Sequence, residues 1–588
     1  MTNDYLIKVF FRKYLPVSIF CVAMATIAMT IDSVLTGILV GGDALAAMNV
    51  SSPVYLIITL VGGILSSGSG VLAANYVGSN DKDKVNTVFS INCICNLIFG
   101  GLLILLFCLK APDLAYFLGA RDAGVKKMAA AYIYGLSIGG LPMLFNATLS
   151  RFSRMFYDAK ILSVSMGIMS LSDIVLDVLF AGVFKMGMFG MALASSMSYI
   201  LSVMCMLVMM SRQRSDLKLC RPKRILKELK SIVVMGCPDA LNSGCSVVSS
   251  VFVNNLLVTL GGTAALSART VQSGITSLTT SVVMGVGFTL APFIGILWGE
   301  RDGNAIEKAL RRGLWLGLRI CLVMCVIVCI VADPLCRLFG VQDEATIRMS
   351  VAAVRYAVAG GVFGSVNCLF LYYYQSIGKI WISNIITVAR SCIYVVLFIL
   401  LTQNILGVTS VWISSLIAEG FTLVTIILIV WLMSRKFPKG MHSYLFMPPE
   451  FQTKTPVYEV SIRNDLDVVI TLSGKIHTFC LKHNVEPRKA YYAALCIEEM
   501  AANVVQYGFQ KDRQHFLDIR IMIEKDSVFF RMRDDGVRFN PFEYIEMRKI
   551  DEEDRYLFNN IGIRMVKRLA IEMDYRYSVG MNYLFVTI

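Results

Sequence analysis

The chain of 588 residues is 56% apolar and only 16% charged, with a mean hydropathy of +0.65, a profile that excludes an ordinary soluble enzyme and places most of the chain in a lipid bilayer. A net charge of +14 would suit a nucleic-acid binder, but the basic residues lie in short connections between apolar runs, so nucleic acid is excluded as a partner. Sixteen cysteines are scattered through the apolar runs without CxxC spacing and read as reduced packing residues rather than zinc ligands or disulfides.

The opening MTNDYLIKVFFRKYL passes straight into an apolar run with no small-residue cleavage site, so the first helix is expected to remain. Runs of about 20 or more mostly apolar residues fall near 15–40, 52–78, 86–109, 130–150, 161–185, 187–210, 232–260, 271–298, 313–332, 352–376, 381–403 and 405–433. The reading is twelve spans, with a first six-helix bundle over 1–210, a basic loop over 211–230 and a second bundle over 231–433. Lys and Arg concentrate on the side shared by the N-terminus, that loop and the exit after Met433, which puts both termini in the cytoplasm of a plasma-membrane protein. The halves repeat at a constant offset of 221: Gly78 matches Gly299, Leu45 and Ala47 match Leu266 and Ala268, and Asn146 matches Asn367. Six-span repeats in one orientation imply two bundles related by an axis along the membrane normal, with a substrate path between them.

Charges inside the spans are few and therefore informative. Asp173 and Asp177, in SDIVLD, are one helical turn apart and share a face; Asp32 in span one and Ser195 in span six fall at about the same depth as Asp177. A carboxylate at the centre of a span costs ~3 kcal/mol unless it meets a partner, water or an ion, so this cluster is expected to bind H⁺ or Na⁺. Neighbouring carboxylates repel each other's ionised forms, which favours taking up a cation. The offset carries Asp173 and Asp177 to Tyr394 and Phe398, so the cation site is expected in one bundle only. Arg390 and Glu419, at matching depth in spans eleven and twelve, are expected to form a buried pair.

With IDSVLTGILVGGDALAAMNVSSP and GSGVLAANYVGSNDKD in view, residues 10–435 resemble the multidrug and toxic compound extrusion (MATE) family. The resemblance implies an antiporter that expels small organic, often cationic, compounds in exchange for H⁺ or Na⁺ by alternating access. It assigns coupling roles to Asp32, Asp173 and Asp177, with Ser195 as the span-six hydroxyl; Asp173 stands where the family more usually has an amide. Related flippases of lipid-linked precursors share the architecture and form one alternative.

After Met433 the composition becomes that of a soluble domain, with a linker over 434–460 and a domain over 461–588. Leu466–His483 and Pro487–Tyr507 read as amphipathic helices, and HFLDIRIMI and SVFFRMR as strands. Glu499 and Asn503 share a helix face; the amide suits a Mg²⁺ shell completed by phosphates and water, and the acid suits orienting an attacking group, the catalytic role expected of Glu499. Asp534, at a strand end, can accept an adenine amino group; Gly536 admits the base, and Gly562 stands at a helix start that favours phosphate. Taken in order, these residues resemble the N, G1 and G2 boxes of the ATP-binding fold shared by gyrase, histidine kinases and MutL, in the short form of the anti-sigma-factor serine kinases. Asn559 and Asn560 stand where relatives often carry glycine, and none of the four histidines lies in a phosphoacceptor motif. The absence of GxxxxGK[ST] argues against an ATP-driven pump of the ABC type.

The expected fold is thus an all-α polytopic membrane domain of two six-helix bundles, followed by a small α/β sandwich of the histidine-kinase/gyrase type. The expected function is cation-coupled export with a nucleotide-binding regulatory tail using ATP and Mg²⁺. The second alternative is a membrane sensor with serine-kinase output on a soluble regulatory protein.

Overall fold

The structure, a computed structural model, describes residues 4–213, 215, 217–338, 343–448, 451, 456–509, 514–524, 527–541 and 561–588. The chain divides into two compact units: Tyr14–Arg154 with Ala159–Phe446, and Met447–Ile588 with Met1–Lys13 and Met155–Asp158.

Twelve helices are long and apolar enough to cross a membrane: α1 (Tyr5–Leu39), α2 (Asp43–Gly78), α3 (Lys82–Phe117), α4 (Ala123–Phe156), α5 (Ala159–Val183), α6 (Gly187–Ser211), α7 (Ile225–Gly262), α8 (Ala264–Gly299), α9 (Gly303–Leu338), α10 (Glu344–Ser376), α11 (Ile380–Leu406) and α12 (Thr409–Ser434). Most run past the apolar cores visible in the sequence because hydrogen-bonded turns continue into polar flanks. Two spans change pitch inside the membrane: α5 becomes a π-helix over Val178–Val183, and α11 has a π turn over Ala389–Ile393. Such turns widen the helix by one residue and re-aim the side chains around them.

The bundles meet chiefly along α2 and α7–α8. At the end carrying the 211–230 loop, the repeat-related glycines touch: a Cβ on Gly78 would collide with the Ile296 carbonyl oxygen and lie 2.7 Å from Gly299 Cα. Gly68 and Gly236 pack as closely against the Ile232 and Ile64 carbonyls. Around this seam Gln375 Nε2 donates to Ser67 Oγ and to the Met235 carbonyl, both at 3.0 Å, and Arg151 lies 3.7 Å from Asp239. The two bundles are therefore closed on each other at that end, backbone against backbone.

The C-terminal unit holds a five-stranded antiparallel sheet in the order β1-β2-β3-β5-β4, with β1 (Val457–Arg463), β2 (Phe516–Glu524), β3 (Ser527–Asp534), β4 (Glu572–Ser578) and β5 (Met581–Thr587). Strand β1 begins inside the stretch 434–460 read as linker. Helices α13 (Leu466–Lys482), α14 (Pro487–Asn503) and α15 (Ile561–Leu569) contribute to a core with the sheet: Leu472, Ile476, Ile497 and Met500 pack with Ile521, Phe530, Met532 and Val586. A 17-residue helix is marginal alone. Burial of each large apolar side chain at ~1.5–3 kcal/mol is what holds α14, and with it the residues on its margin, in place.

Candidate functional site

In the first bundle α1 supplies Asp32, α5 supplies Asp173 and Asp177, and α6 supplies Ser195 and Ser198. The three carboxylates lie close enough to act electrostatically on one another, and both serine hydroxyls reach Asp173. Asp32 and Asp177 are 8% and 1% exposed, and Asp177 is the last residue before the π turn of α5. One oxygen of Asp32, one of Asp173 and both of Asp177 are buried without a hydrogen-bond partner among the described residues. Leaving a buried polar group unsatisfied costs ~1–3 kcal/mol, more if charged, so this arrangement is stable only when water, a proton or a cation completes it. No Lys or Arg pairs with the three acids among the described residues, and no group of three His, Cys, Asp or Glu there is arranged to hold a metal ion.

Sequence reasoning missed the tyrosines around this cluster. Tyr55 of α2, Tyr132 of α4 and Tyr199 of α6 all feel the aspartates, and the Tyr55 and Tyr199 hydroxyls are 3.5 Å apart. Tyr199 follows Ser195 by one helical turn and was legible from that spacing; nothing in the local sequence marks Tyr55 or Tyr132.

In the second bundle, Arg390 Nη2 and Nε both donate to Glu419 Oε1, at 2.6 and 3.1 Å, and Asn367 Nδ2 donates to Glu419 Oε2 at 2.8 Å. Arg390 sits in the π turn of α11. Gly364 lets the pair lie flat on α10, since a Cβ there would be 3.1 Å from Glu419 Oε1. The pair forms one wall of a cavity of about 210 Å³, which Gln272, Thr276 and Val283 of α8 and Ser415 of α12 also line.

In the C-terminal unit a cavity of about 230 Å³ is lined by Asn503, Tyr507, Gly508, Asp534, Val537, Phe539, Ile563, Tyr575 and Asn582, among others. Of the residues expected at a nucleotide site, Asn503 and Asp534 line it. Gly536 stands beside it, its N–H donating to Asp534 Oδ1 at 2.9 Å, while Gly562 lies against Glu499, whose carboxylate occupies the space a Cβ would need. Asn503 Nδ2 donates to the Glu499 carbonyl at 2.8 Å, and a third π turn, Val504–Gly508, follows Asn503 directly. Asn559 and Asn560 lie outside the described residues.

Asp534 is held by a relay that sequence reasoning missed. Tyr575 donates to Asn582 Oδ1 at 2.7 Å, and Asn582 Nδ2 donates to Asp534 Oδ1 at 2.8 Å. No described residue donates to the other Asp534 oxygen, which leaves an acceptor for a ligand amino group. Burial pushes the Asp534 carboxyl up to about 6, while the Asn582 and Gly536 hydrogen bonds hold it from rising further. The relay was hidden because β4 and β5 were not separated in the sequence, and the register of β5 on β3, which sets Asn582 opposite Asp534, is what creates it. A buried acceptor, a glycine with no room for a Cβ and an amide at the helix end together fit an adenine nucleotide.

Comparison with known proteins agrees with this division. Residues 18–179 and 239–401, one stretch in each bundle, match the family described as MatE, and residues 462–588 match the histidine kinase-like ATPase domain. The chain is 22% identical over 403 residues to the multidrug export protein MepA of Staphylococcus saprophyticus, covering 68% of this chain and 87% of that protein. It is 21% identical over 402 residues to MepA of Staphylococcus aureus, with the same coverage. Among solved structures, the outward-facing conformation of a multidrug resistance MATE family transporter of the MOP superfamily aligns with a TM-score of 0.68 and 22% identity, covering 73% of this chain and 96% of that one. A MATE transporter in complex with MaL6 aligns with a TM-score of 0.67 at the same identity and coverage.

Proposed function

The chain belongs to the MatE family, and from that premise we propose that it is a cation-coupled antiporter that exports organic, multidrug-type compounds across the plasma membrane, with both termini cytoplasmic. The observation that carries the reading is the set of buried aspartate oxygens in the first bundle that no described residue satisfies. Asp177, with neither oxygen partnered, is the coupling residue; Asp32 and Asp173 share the ion, and Ser195 with Ser198 orients Asp173. Binding H⁺ or Na⁺ there neutralises charge that no fixed residue neutralises. It therefore stabilises whichever state dehydrates the cluster, and release favours the other. The Gly78–Gly299 seam closes one end of the path, and alternating access requires it to part.

The tail binds ATP with Mg²⁺ and regulates transport in this reading. Asp534 accepts the adenine amino group, Gly536 admits the base, and Asn503 is the Mg²⁺ ligand. When bound, the metal supplies charge neutralisation to the phosphates. The test is counterflow of a fluorescent cationic dye in proteoliposomes under an imposed pH or Na⁺ gradient. Asp177→Asn is expected to abolish counterflow; a variant that still exchanges dye at the wild-type rate would falsify the coupling role.

A second reading, serine phosphorylation of a soluble partner, is favoured by the Glu499 carboxylate lying one turn from Asn503 at the start of α15. Phosphate transfer that disappears in Glu499→Ala while dye counterflow persists would support it.

A further inference from the structure

The second bundle holds a positive charge that the coupling scheme does not use. Arg269 lies early in α8, and its Nη1 donates to Gln272 Oε1 at 2.9 Å. A snorkelling arginine would reach back toward the helix start and water; this guanidinium reaches one turn deeper instead, toward the residue that opens the cavity wall. Gln272, Thr276 and Val283 continue that face of α8 along the cavity. Across it, Arg390 and Glu419 cancel each other, and Asn367 takes the remaining Glu419 oxygen. No acid pairs with Arg269 among the described residues. The charges on the cavity wall itself thus cancel, and the uncancelled positive charge is that of Arg269, which stands behind the lining residue Gln272; Arg390 Nη1 makes no hydrogen bond to a described residue, and the Gln272 amide nitrogen is left to donate.

At about 210 Å³ the space is below the usual ~300–1,000 Å³ of a pocket that swallows a drug-sized ligand, so it suits one end of a molecule. We propose that this cavity binds the anionic end, a carboxylate or phosphate, of the organic solute the protein moves, with the Gln272 amide donating to it and the Arg269 charge directly behind Gln272 favouring it. The inference rests on the export reading and narrows its substrate class: acids in one bundle and an uncancelled positive charge beside the cavity of the other favour zwitterionic or anionic amphiphiles over purely cationic ones.

The test uses the full chain and two dyes that differ in one group, a zwitterionic xanthene with a free benzoate and its methyl ester. Binding is read by fluorescence anisotropy on purified protein, and counterflow in proteoliposomes. The acid is expected to bind on the order of tenfold more tightly than the ester, as one charge-assisted contact allows. Arg269→Gln collapses the ratio to near one, and Arg269→Lys, which keeps the charge, restores part of it. Equal binding of acid and ester by the wild type, or a ratio untouched by Arg269→Gln in a protein of unchanged melting temperature, overturns the proposal. Because binding is read apart from transport, a preserved acid preference without counterflow would sink the export reading and leave the anion site standing. An acid preference present in phosphatidylcholine but absent in phosphatidylglycerol bilayers would overturn the solute assignment in favour of a lipid headgroup.

Discussion

Set on each other at the 221-residue offset, the two bundles use one scaffold to opposite electrostatic ends. Asn146 and Asn367 are the same position; Met169 matches Arg390, and Ser198 matches Glu419. The amide turns to different neighbours in the two: Asn146 Nδ2 lies 3.9 Å from Met169 Sδ, at the position of Arg390, whereas Asn367 Nδ2 lies 2.8 Å from Glu419 Oε2. In the second bundle the acid and base at these positions neutralise each other. In the first, the positions are neutral and the charge has moved to Asp32, Asp173 and Asp177, whose counterparts are Val253, Tyr394 and Phe398. A self-neutralised pair can hold a fold rigid, whereas an unneutralised cluster needs a partner that comes and goes. Repetition of the backbone says little about repetition of the chemistry.

The largest effects should separate these two kinds of acid. Asp177→Asn is expected to reduce counterflow by at least about a hundredfold while leaving the melting temperature unchanged or raised, because a neutral amide costs less to bury than an unpaired carboxylate. Glu419→Gln should do the reverse to stability: it strands Arg390, and breaking a buried pair from one side costs ~3–5 kcal/mol. The double change Arg390→Met with Glu419→Leu should recover much of that loss in thermal unfolding of the detergent-solubilised protein. If Asp177→Asn unfolds the protein and Glu419→Gln does not, the contrast between the bundles is wrong.

A smaller effect is expected where the halves are identical and touch. In Gly299→Ala the added methyl meets the Asn75 carbonyl oxygen and, 2.7 Å away, Gly78 Cα, with backbone on both sides and nothing flexible to yield. Overpacking of this kind costs ~1–3 kcal/mol in the closed state alone. Turnover should therefore fall roughly tenfold, with faster hydrogen exchange over 64–78. An unchanged rate and unchanged exchange would mean that this seam is not a gate.

The twelve spans and the repeat were legible because a bilayer imposes about 20 apolar residues per helix, a signal that no tertiary contact can mask. Asp32, Asp173 and Asp177 were legible for the same reason: charge is conspicuous against that background. Arg269 is equally conspicuous and went unread, since near a helix start it resembles an interfacial residue; only its bond to Gln272 shows which way it faces. The π turns could not be read at all, because one extra residue per turn leaves apolar periodicity almost unaltered, yet all three adjoin or contain residues of interest, Asp177, Arg390 and Asn503. In the tail, α13 and α14 followed from amphipathic spacing, whereas Asn582 joins the site only through strand pairing distant in sequence.

Asp534 offers the gentlest test of the contrast, as a third kind of buried acid, neither paired with a base nor left bare. Its Oδ1 accepts from Gly536 and Asn582, so burial lifts its carboxyl only to about 6 from an ordinary 3.8. Adenine recognition needs the ionised form as acceptor. The ratio of ATP affinity to that of the analogue lacking the amino group, purine riboside triphosphate, should therefore be flat above pH 7 and fall by up to about tenfold per unit below 6. Asn582→Ala removes a donor that favours the carboxylate, so it should move the midpoint of that fall upward in pH. Stability depends on the same proton with the opposite sign. The folded carboxyl is harder to ionise than the unfolded one, so its contribution is fully present below about 4 and is lost as pH rises through about 6. A ratio that ignores pH in the wild type, or a midpoint that stays put in Asn582→Ala, would remove Asp534 from the adenine contact.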